Sequence, residues 1–226
     1  MEKLLKIKIF KSFVAFTLAE TLIVMGIIGV VAALTIPNLN SSTGEKEKVA
    51  KVKKIYSNLE DAFGRAMVVY GPVDEWFIND SNNTAQMTRF GERITEFMKV
   101  SKNCKFEDTN ACSFSKDRYR FITADGTAIA IYISGETKHI YVDIDGSKGS
   151  NIDGKDRFNF IITDDGIIPM GRDTRTSPLT SCYSGGGAFC SDWVLEMGNL
   201  DYLKIDTSGK CPNGKVLDWT TNTSCK

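Results

Sequence analysis

The apolar positions of this chain follow three different spacings, one after another along the sequence. Residues 16–36 are 21 almost continuously apolar positions that carry a single charge, Glu20. A helix rises about 1.5 Å per residue, so this run would extend roughly 31 Å, close to the thickness of a bilayer core. The run therefore predicts a transmembrane helix over residues 16–37, preceded by a basic stretch over residues 1–15.

The second spacing places apolar residues alternately three and four positions apart. Such a seam is typical of one face of an amphipathic helix, and Gly71 and Pro72 end it. The residues of the seam are Val49, Val52, Tyr56, Leu59, Phe63, Ala66 and Tyr70. We predict that residues 38–71 continue the first helix and pack on a domain. A further amphipathic helix is predicted over about residues 84–100, with Thr84 as its N-cap.

The third spacing begins at Arg118, where the period falls to two. The stretch "RYRFITADGTAIAIYI" has two β-prone runs around Asp125 and Gly126, which is a strong hairpin signal. Similar runs continue towards residue 170 and predict an antiparallel meander of about four strands over residues 118–170. Strands that follow helices in this order indicate an α+β fold, with an exported globular head over residues 72–226.

The remaining tail, residues 171–226, is rich in Gly, Ser, Thr and Cys, with one short helical piece predicted over residues 191–204. All six cysteines follow the apolar run, and an even number in an exported domain indicates disulfides. Sequence alone does not fix their connectivity. Our hypothesis is nearest-neighbour pairing, because each pair brackets a loop-like segment: Cys104–Cys112, Cys182–Cys190 and Cys211–Cys225. Metal ligation is the weaker alternative, since there is no CxxC and the only histidine is His139.

The charge of the chain is balanced overall but uneven at its start. The formal net charge is zero, which does not indicate a nucleic acid as a partner. Four lysines precede the apolar run: Lys3, Lys6, Lys8 and Lys11. By the positive-inside rule, the amino terminus is expected in the cytoplasm and the head outside it.

The segment "AFTLAETLIVMGIIGVVAALTIPNL" resembles the amino-terminal signature of type IV pilins and type II secretion pseudopilins. The resemblance covers roughly residues 12–40. It implies that a prepilin peptidase cuts between Ala15 and Phe16 and that the new amino terminus, Phe16, is N-methylated. Alanine stands before the cut where the family usually has glycine. The resemblance also implies a pilin-like fold, in which the long helix packs on the β-meander.

Glu20 and Pro37 both match positions of the family pattern. A carboxylate within an apolar span is costly unless it is paired, and cleavage would create an amine at Phe16. Glu20 of one subunit would then pair with the Phe16 amine of a neighbour and set the register of assembly. The alternative is a carboxylate that snorkels to the interface. For Pro37 the resemblance implies a helix that bends or locally unwinds, while the alternative is a proline that ends the membrane helix.

The stretch "YVDIDGSKGSNIDGKDRF" concentrates oxygen-bearing side chains. Carboxylate and amide oxygens suit calcium, and several pseudopilins bind calcium in a loop of the head. The predicted ligands are Asp143, Asp145, Asn151 and Asp153. The pattern is not that of an EF-hand, and a turn-rich loop held by Asx hydrogen bonds explains the same residues. No cofactor other than calcium is expected.

Motifs that carry catalysis are absent from the sequence. There is no Walker loop, no H-E-x-x-H and no G-x-S-x-G elbow. The sequence therefore favours a structural, non-enzymatic subunit of a pseudopilus or type IV pilus-like filament in the bacterial inner membrane. Such a subunit would serve protein secretion or a related surface function. The family implies as partners other pilin or pseudopilin subunits, the prepilin peptidase, and an inner-membrane assembly platform with a motor ATPase; nucleic acid is not expected. The alternative is a monomeric, membrane-tethered extracytoplasmic binding domain.

Overall fold

The structure is a computed structural model. It describes residues 17–77, 82–107, 111–172, 182 and 186–226, with the backbone alone for residues 32–43. The chain divides into two compact units, of which the first ends at Thr43 and the second is Gly44–Lys226. Each unit is therefore described by itself.

Helix α1 spans Leu18–Tyr70 and so contributes residues to both units. Every side chain of residues 17–31 is exposed. The large apolar ones are Leu18, Leu22, Ile23, Val24, Met25, Ile27, Ile28, Val30 and Val31. Among the helices that the structure describes, none is long and apolar enough to cross a membrane. The transmembrane helix predicted over residues 16–37 is thus not found in the described part of the chain.

In the second unit, residues 44–70 of α1 bury one face. The fully or nearly fully buried residues of this face are Val49, Val52, Ile55, Leu59, Ala62, Phe63 and Ala66. Tyr56 is partly buried, and its ring stacks on Phe160 with the centroids 5.5 Å apart. The predicted seam is therefore the packing face, widened by Ile55 and Ala62. The helix ends as predicted at Gly71, which has a φ of 77° and donates its N–H to the carbonyl of Met67.

A short 3-10 helix, Val73–Trp76, follows α1. Trp76 is completely buried, and its ring lies between Phe63 and Phe90, with centroid distances of 5.8 and 5.7 Å. The sequence predicts no helix or strand at these positions, because a single tryptophan in a polar stretch carries no periodic signal. Its burial became visible only from the tertiary structure.

Helix α2 spans Asn83–Thr95, so it is shorter than the predicted helix over residues 84–100. The prediction of Thr84 as N-cap was wrong. Asn82 caps the helix, and its Oδ1 accepts hydrogen bonds from the N–H groups of Thr84 and Ala85. The predicted carboxyl end was also wrong, since a strand begins at Val100.

Within the described residues, six strands form one antiparallel sheet in sequence order. They are β1 Val100–Lys105, β2 Tyr119–Thr123, β3 Ala128–Ser134, β4 Thr137–Asp143, β5 Arg157–Ile162 and β6 Ile167–Pro169. The predicted meander over residues 118–170 thus contains β2 to β6 rather than about four strands, and β1 joins from outside that range. The predicted hairpin is confirmed: Gly126, with a φ of 88°, lies in the turn between β2 and β3.

The core lies between one face of this sheet and the two helices. Buried sheet residues join the α1 face in a single cluster; they include Phe121, Ile129, Ile131, Ile140, Val142, Phe158 and Phe160. These residues alternate along β2 to β5, as expected for strands with one face on a core. The fold of Gly44–Lys226 is therefore α+β.

The tail contains helix α3, Ser191–Met197, and a 3-10 turn, Asp201–Leu203, both within the predicted helical range 191–204. All six cysteines form disulfides: Cys104–Cys112, Cys182–Cys190 and Cys211–Cys225. These are the nearest-neighbour pairs. The rings of Trp193 and Trp219 meet edge to face, with the centroids 5.1 Å apart, and so add an apolar anchor to the tail.

Candidate functional sites in the first helix and the acidic loop

The first turn of α1 holds Glu20 in a capping box. Oε2 of Glu20 accepts hydrogen bonds from the N–H and the Oγ1 of Thr17, both at 2.8 Å. In return, Oγ1 of Thr17 accepts from the N–H of Glu20 at 3.2 Å. This reciprocal pair satisfies two amide groups that the start of a helix otherwise leaves unpaired. The signal is present in the sequence as T-x-x-E, although the roles predicted for Glu20 were only those of an assembly residue or a snorkelling carboxylate.

The capping box changes what the assembly hypothesis requires of Glu20. The carboxylate already has a local partner within its own chain, so its cost in an apolar segment is partly offset before any neighbour arrives. An amine from another subunit would have to share this carboxylate with Thr17 or replace it. The predicted cleavage site, Ala15 and Phe16, lies outside the described residues. Pro37 lies within α1, among the residues whose side chains are not described.

The apolar side chains that follow Glu20 cover all faces of the helix. Consecutive residues 22–25 are apolar and point in four directions about 100° apart, and each of them is more than half exposed. A helix that is apolar all round belongs in the interior of a larger assembly or in lipid, whereas a surface helix has one apolar stripe. This segment is therefore a candidate interaction surface.

The acidic loop begins where β4 ends. Asp143, the last residue of β4, is completely buried. Its Oδ2 accepts a hydrogen bond from Oγ of Ser113 at 2.5 Å and from Nε of Arg157 at 3.3 Å. Its Oδ1 is buried without any hydrogen-bond partner. A buried acceptor of this kind costs free energy unless a proton or a cation satisfies it.

Asp145 lies beside Asp143 and also has a buried carboxylate oxygen that accepts no hydrogen bond. This oxygen is Oδ1. Burial, the side-chain contact and the charge of Asp143, and the charge of Asp156 together raise the pKa of Asp145 to about 6, while the charge of Lys48 opposes them. When ionised, the carboxyl groups of Asp143, Asp145 and Asp156 carry three negative charges, and only the two positive charges of Arg157 and Lys48 face them.

The other two predicted ligands differ in their placement. Asn151 has a φ of 53°, and its Oδ1 lies 3.4 Å from Oγ of Ser113, next to Asp143. Asp153 is exposed, and it forms an isolated backbone bridge with Arg157. The structure therefore brings Asp143, Asp145 and Asn151 towards one cluster, whereas no described contact links the carboxylate of Asp153 to that cluster.

Two residues that shape this loop are not among the predicted ligands. Asp156 is buried, and its carboxylate accepts hydrogen bonds from Oγ of Ser150 and from the N–H of Ile152, which hold the turn. Ser113 comes from a segment 30 residues before Asp143, so no local spacing could have indicated it. Asx-type bonding therefore accounts for Asp156 but not for the unsatisfied oxygens of Asp143 and Asp145.

The chemistry of the cluster fits a hard cation in part. Oδ1 of Asp143 and Oδ1 of Asp145 lack donors, and the amide oxygen of Asn151 lies 3.4 Å from the serine hydroxyl that binds Asp143. Calcium prefers such oxygen ligands. Across the described ranges, no group of three or more His, Cys, Asp or Glu side chains is arranged to hold a metal ion. The oxygens of Asp143, Asp145 and Asn151 are the ones that a cation would use.

Two residues of the tail, Gly187 and Tyr202, pack directly on the acidic loop. Gly187 has a φ of 92°, and a Cβ at this position would overlap the carbonyl of Asp153. The hydroxyl of Tyr202, which is buried, donates to the carbonyl of Gly154. Glycine is therefore required for this close backbone approach, and the tail holds the acidic loop in place.

Comparison of the chain with family models, with curated proteins and with solved structures gives no match. Function is therefore inferred from the residues themselves and from their contacts. The two candidate sites are the apolar start of α1 with its capping box and the acidic loop.

Proposed function

We propose that this protein is a structural subunit of a pseudopilus or type IV pilus-like filament, without enzymatic activity. Residues 18–31 support the proposal, because they expose large apolar side chains on every face of a helix. Such a surface requires lipid before assembly and the helices of other subunits after it. The inner membrane is the proposed location, with the head outside the cytoplasm, and protein secretion or a related surface function the proposed role.

In this proposal the two units have separate tasks. The apolar part of α1 anchors the subunit and packs in the filament, while Gly44–Lys226 forms the exported head of a pilin-like fold. The proposed partners are other pilin or pseudopilin subunits, the prepilin peptidase, and an assembly platform with its motor ATPase. The resemblance of residues 12–40 to the prepilin signature supports these partners.

Glu20 is the proposed register residue. After cleavage between Ala15 and Phe16, the amine of Phe16 would be the cation available to a neighbouring Glu20. The bonds from Thr17 support this role, because they hold the carboxylate at the start of the helix, at most a few residues from that amine. Charge pairing at one position within an apolar seam then sets the stagger between subunits.

Intact-mass and amino-terminal peptide analysis of the protein from its native membrane tests the proposal. We expect a chain that begins at methylated Phe16. We also expect Glu20→Ala to abolish filaments in a shearing assay, whereas Glu47→Ala, at another exposed position of α1, leaves them intact. A chain that still begins at Met1, together with indifference to Glu20→Ala, would support a monomeric tethered binding domain instead.

For the head we propose that the acidic loop binds calcium through Asp143, Asp145 and Asn151. The two unsatisfied carboxylate oxygens support this second proposal. Calcium should raise the thermal unfolding temperature of the wild-type protein and of Asp164→Asn, which alters an exposed turn. The same addition of calcium should leave the unfolding temperature of Asp145→Asn unchanged. A wild-type unfolding temperature that does not respond to millimolar calcium would refute the site.

A further inference from the structure

One residue from outside the acidic loop contacts several residues within it. Ser113 directly follows Cys112 and donates its hydroxyl proton to Oδ2 of Asp143 at 2.5 Å. Nη2 of Arg157 donates to the same hydroxyl at 3.1 Å, and Oδ1 of Asn151 lies 3.4 Å from it. A single hydroxyl thus contacts both ends of the acidic loop and the asparagine between them.

The position of Ser113 is set by β1 and β2 rather than by the acidic loop. The disulfide from Cys112 ties its segment to Cys104 in β1. The guanidinium of Arg120 in β2, which is buried, donates to the carbonyls of Cys112 and Phe114 at 3.1 and 2.7 Å. These two carbonyls flank Ser113 on either side. The serine therefore reaches Asp143 from a separately anchored support.

This contact determines which oxygen of Asp143 is left unsatisfied. Ser113 and Arg157 both bind Oδ2, so Oδ1 remains the buried acceptor without a donor. Asp145 lies beside it with its own unsatisfied Oδ1. Without the serine hydroxyl, the carboxyl group of Asp143 would lose its shortest bond and the orientation that this bond imposes.

We propose that Ser113, anchored by the Cys104–Cys112 disulfide and by Arg120, forms the second wall of the calcium site and is the positioning residue for Asp143. The inference rests on the proposed calcium site and is independent of the filament role. Calcium affinity and the integrity of this disulfide are then linked, and the linkage acts in both directions. Loss of a group that orients a metal ligand typically lowers affinity by about 10–100-fold.

The first test is calorimetric titration of the full chain in detergent with calcium. We expect Ser113→Ala to weaken binding by about tenfold or more. Ser113→Thr retains the hydroxyl and should restore most of the affinity. Ser115→Ala, an exposed serine of the same segment, is the matched control and should bind calcium like the wild type.

The second test removes the disulfide. Cys104→Ser with Cys112→Ser should weaken calcium binding, whereas Cys211→Ser with Cys225→Ser should not. In the reverse direction, calcium should slow the reduction of Cys104–Cys112 by dithiothreitol. Alkylation of the freed thiols and mass analysis measure the rate of reduction. The rate for Cys211–Cys225 should stay unchanged, which excludes a general effect of calcium on reduction.

The outcomes separate this inference from the proposals before it. Wild-type affinity in Ser113→Ala and in the Cys104–Cys112 variant would overturn the inference and leave the calcium site standing. A wild-type protein that binds no calcium would overturn both, without bearing on the filament. If the disulfide variant does not fold, the comparison of Ser113→Ala with Ser113→Thr still decides.

Discussion

Two parts of α1 use similar apolar residues with opposite results. Leu22 and Ile27 are 62% and 60% exposed, whereas Val52 and Leu59 are completely buried. In residues 44–70, charged residues separate the apolar seam, so one face meets the sheet and the others meet water. In residues 22–31, no face of the helix is polar, so one packing surface cannot cover the segment. An apolar composition shows that a segment must be buried. The spacing of its apolar residues shows whether the chain's own core can bury it.

The largest expected effect comes from shortening an apolar side chain in each part. Leu59→Ala removes a completely buried side chain and should lower the free energy of unfolding of the head by about 2–5 kcal/mol. Leu22→Ala should leave it unchanged. Urea unfolding in detergent, followed by the fluorescence of the three tryptophans, measures both, since all three lie in the head. Equal destabilisation by the two variants would mean that residues 18–31 pack on the head.

Two helical glycines extend the comparison. A Cβ at Gly91 in α2 would lie 2.7 Å from Cγ of Tyr119, and closer still to Cδ1 and Cε1. Gly91→Ala should therefore destabilise the head by about 1–3 kcal/mol, the usual range for overpacking. Nothing lies within 4 Å of a Cβ at Gly64 in α1. Gly64→Ala should stabilise by about 0.5–1 kcal/mol through helix propensity. The same unfolding assay gives both values, and stabilisation by Gly91→Ala would contradict the contact with Tyr119.

A smaller effect is expected at the start of the exposed helix. Thr17→Val removes both hydroxyl bonds of the capping box and should destabilise the first turn by about 1 kcal/mol. Hydrogen exchange of the first-turn amides should become faster in micelles, with the unfolding of the head unchanged. Thr17→Ser keeps the capping oxygen and serves as the control. Unaltered exchange in Thr17→Val would show that the capping box does not form.

The smallest effect concerns the exposed side of α1 within the head. Burial raises the pKa of Asp125, but hydrogen bonds from Lys54 and Thr123 outweigh it and lower the pKa from 3.8 to about 2. A depressed pKa means that the pairing stabilises the fold above about pH 4, and that this contribution is lost as the pH falls through 2. Because the Lys54–Asp125 pair is 59% and 39% exposed, we expect less than about 1 kcal/mol.

Urea unfolding at pH 5 and at pH 2 measures this contribution. Asp125→Asn should lose less stability between the two values than the wild type does, because the group that titrates is absent. Asp164→Asn, in an exposed turn, should show the same difference in stability between pH 5 and pH 2 as the wild type. An identical difference in Asp125→Asn and the wild type would show that the Lys54 pair does not contribute.

The sequence by itself determined the features that depend on neighbours along the chain. The apolar run, the α1 seam, the hairpin turn at Gly126 and the helical piece of the tail all follow from periodicity or from a local turn preference. The cysteines also pair with their nearest neighbours, as hypothesised, although the sequence alone left other pairings open. Even the capping box of Thr17 and Glu20 was legible as T-x-x-E, although the prediction passed over it.

The tertiary structure alone decided the features that depend on distant parts of the chain. Strand β1 is mostly exposed and polar, so only its pairing with β2 makes it a strand. Trp76 is buried because two helices close over it. Ser113 reaches Asp143 across 30 residues of sequence, and this contact leaves an oxygen of the acidic loop unsatisfied. Periodicity reports which residues need burial or bonding, but the partner at the other end of a long loop is set by packing.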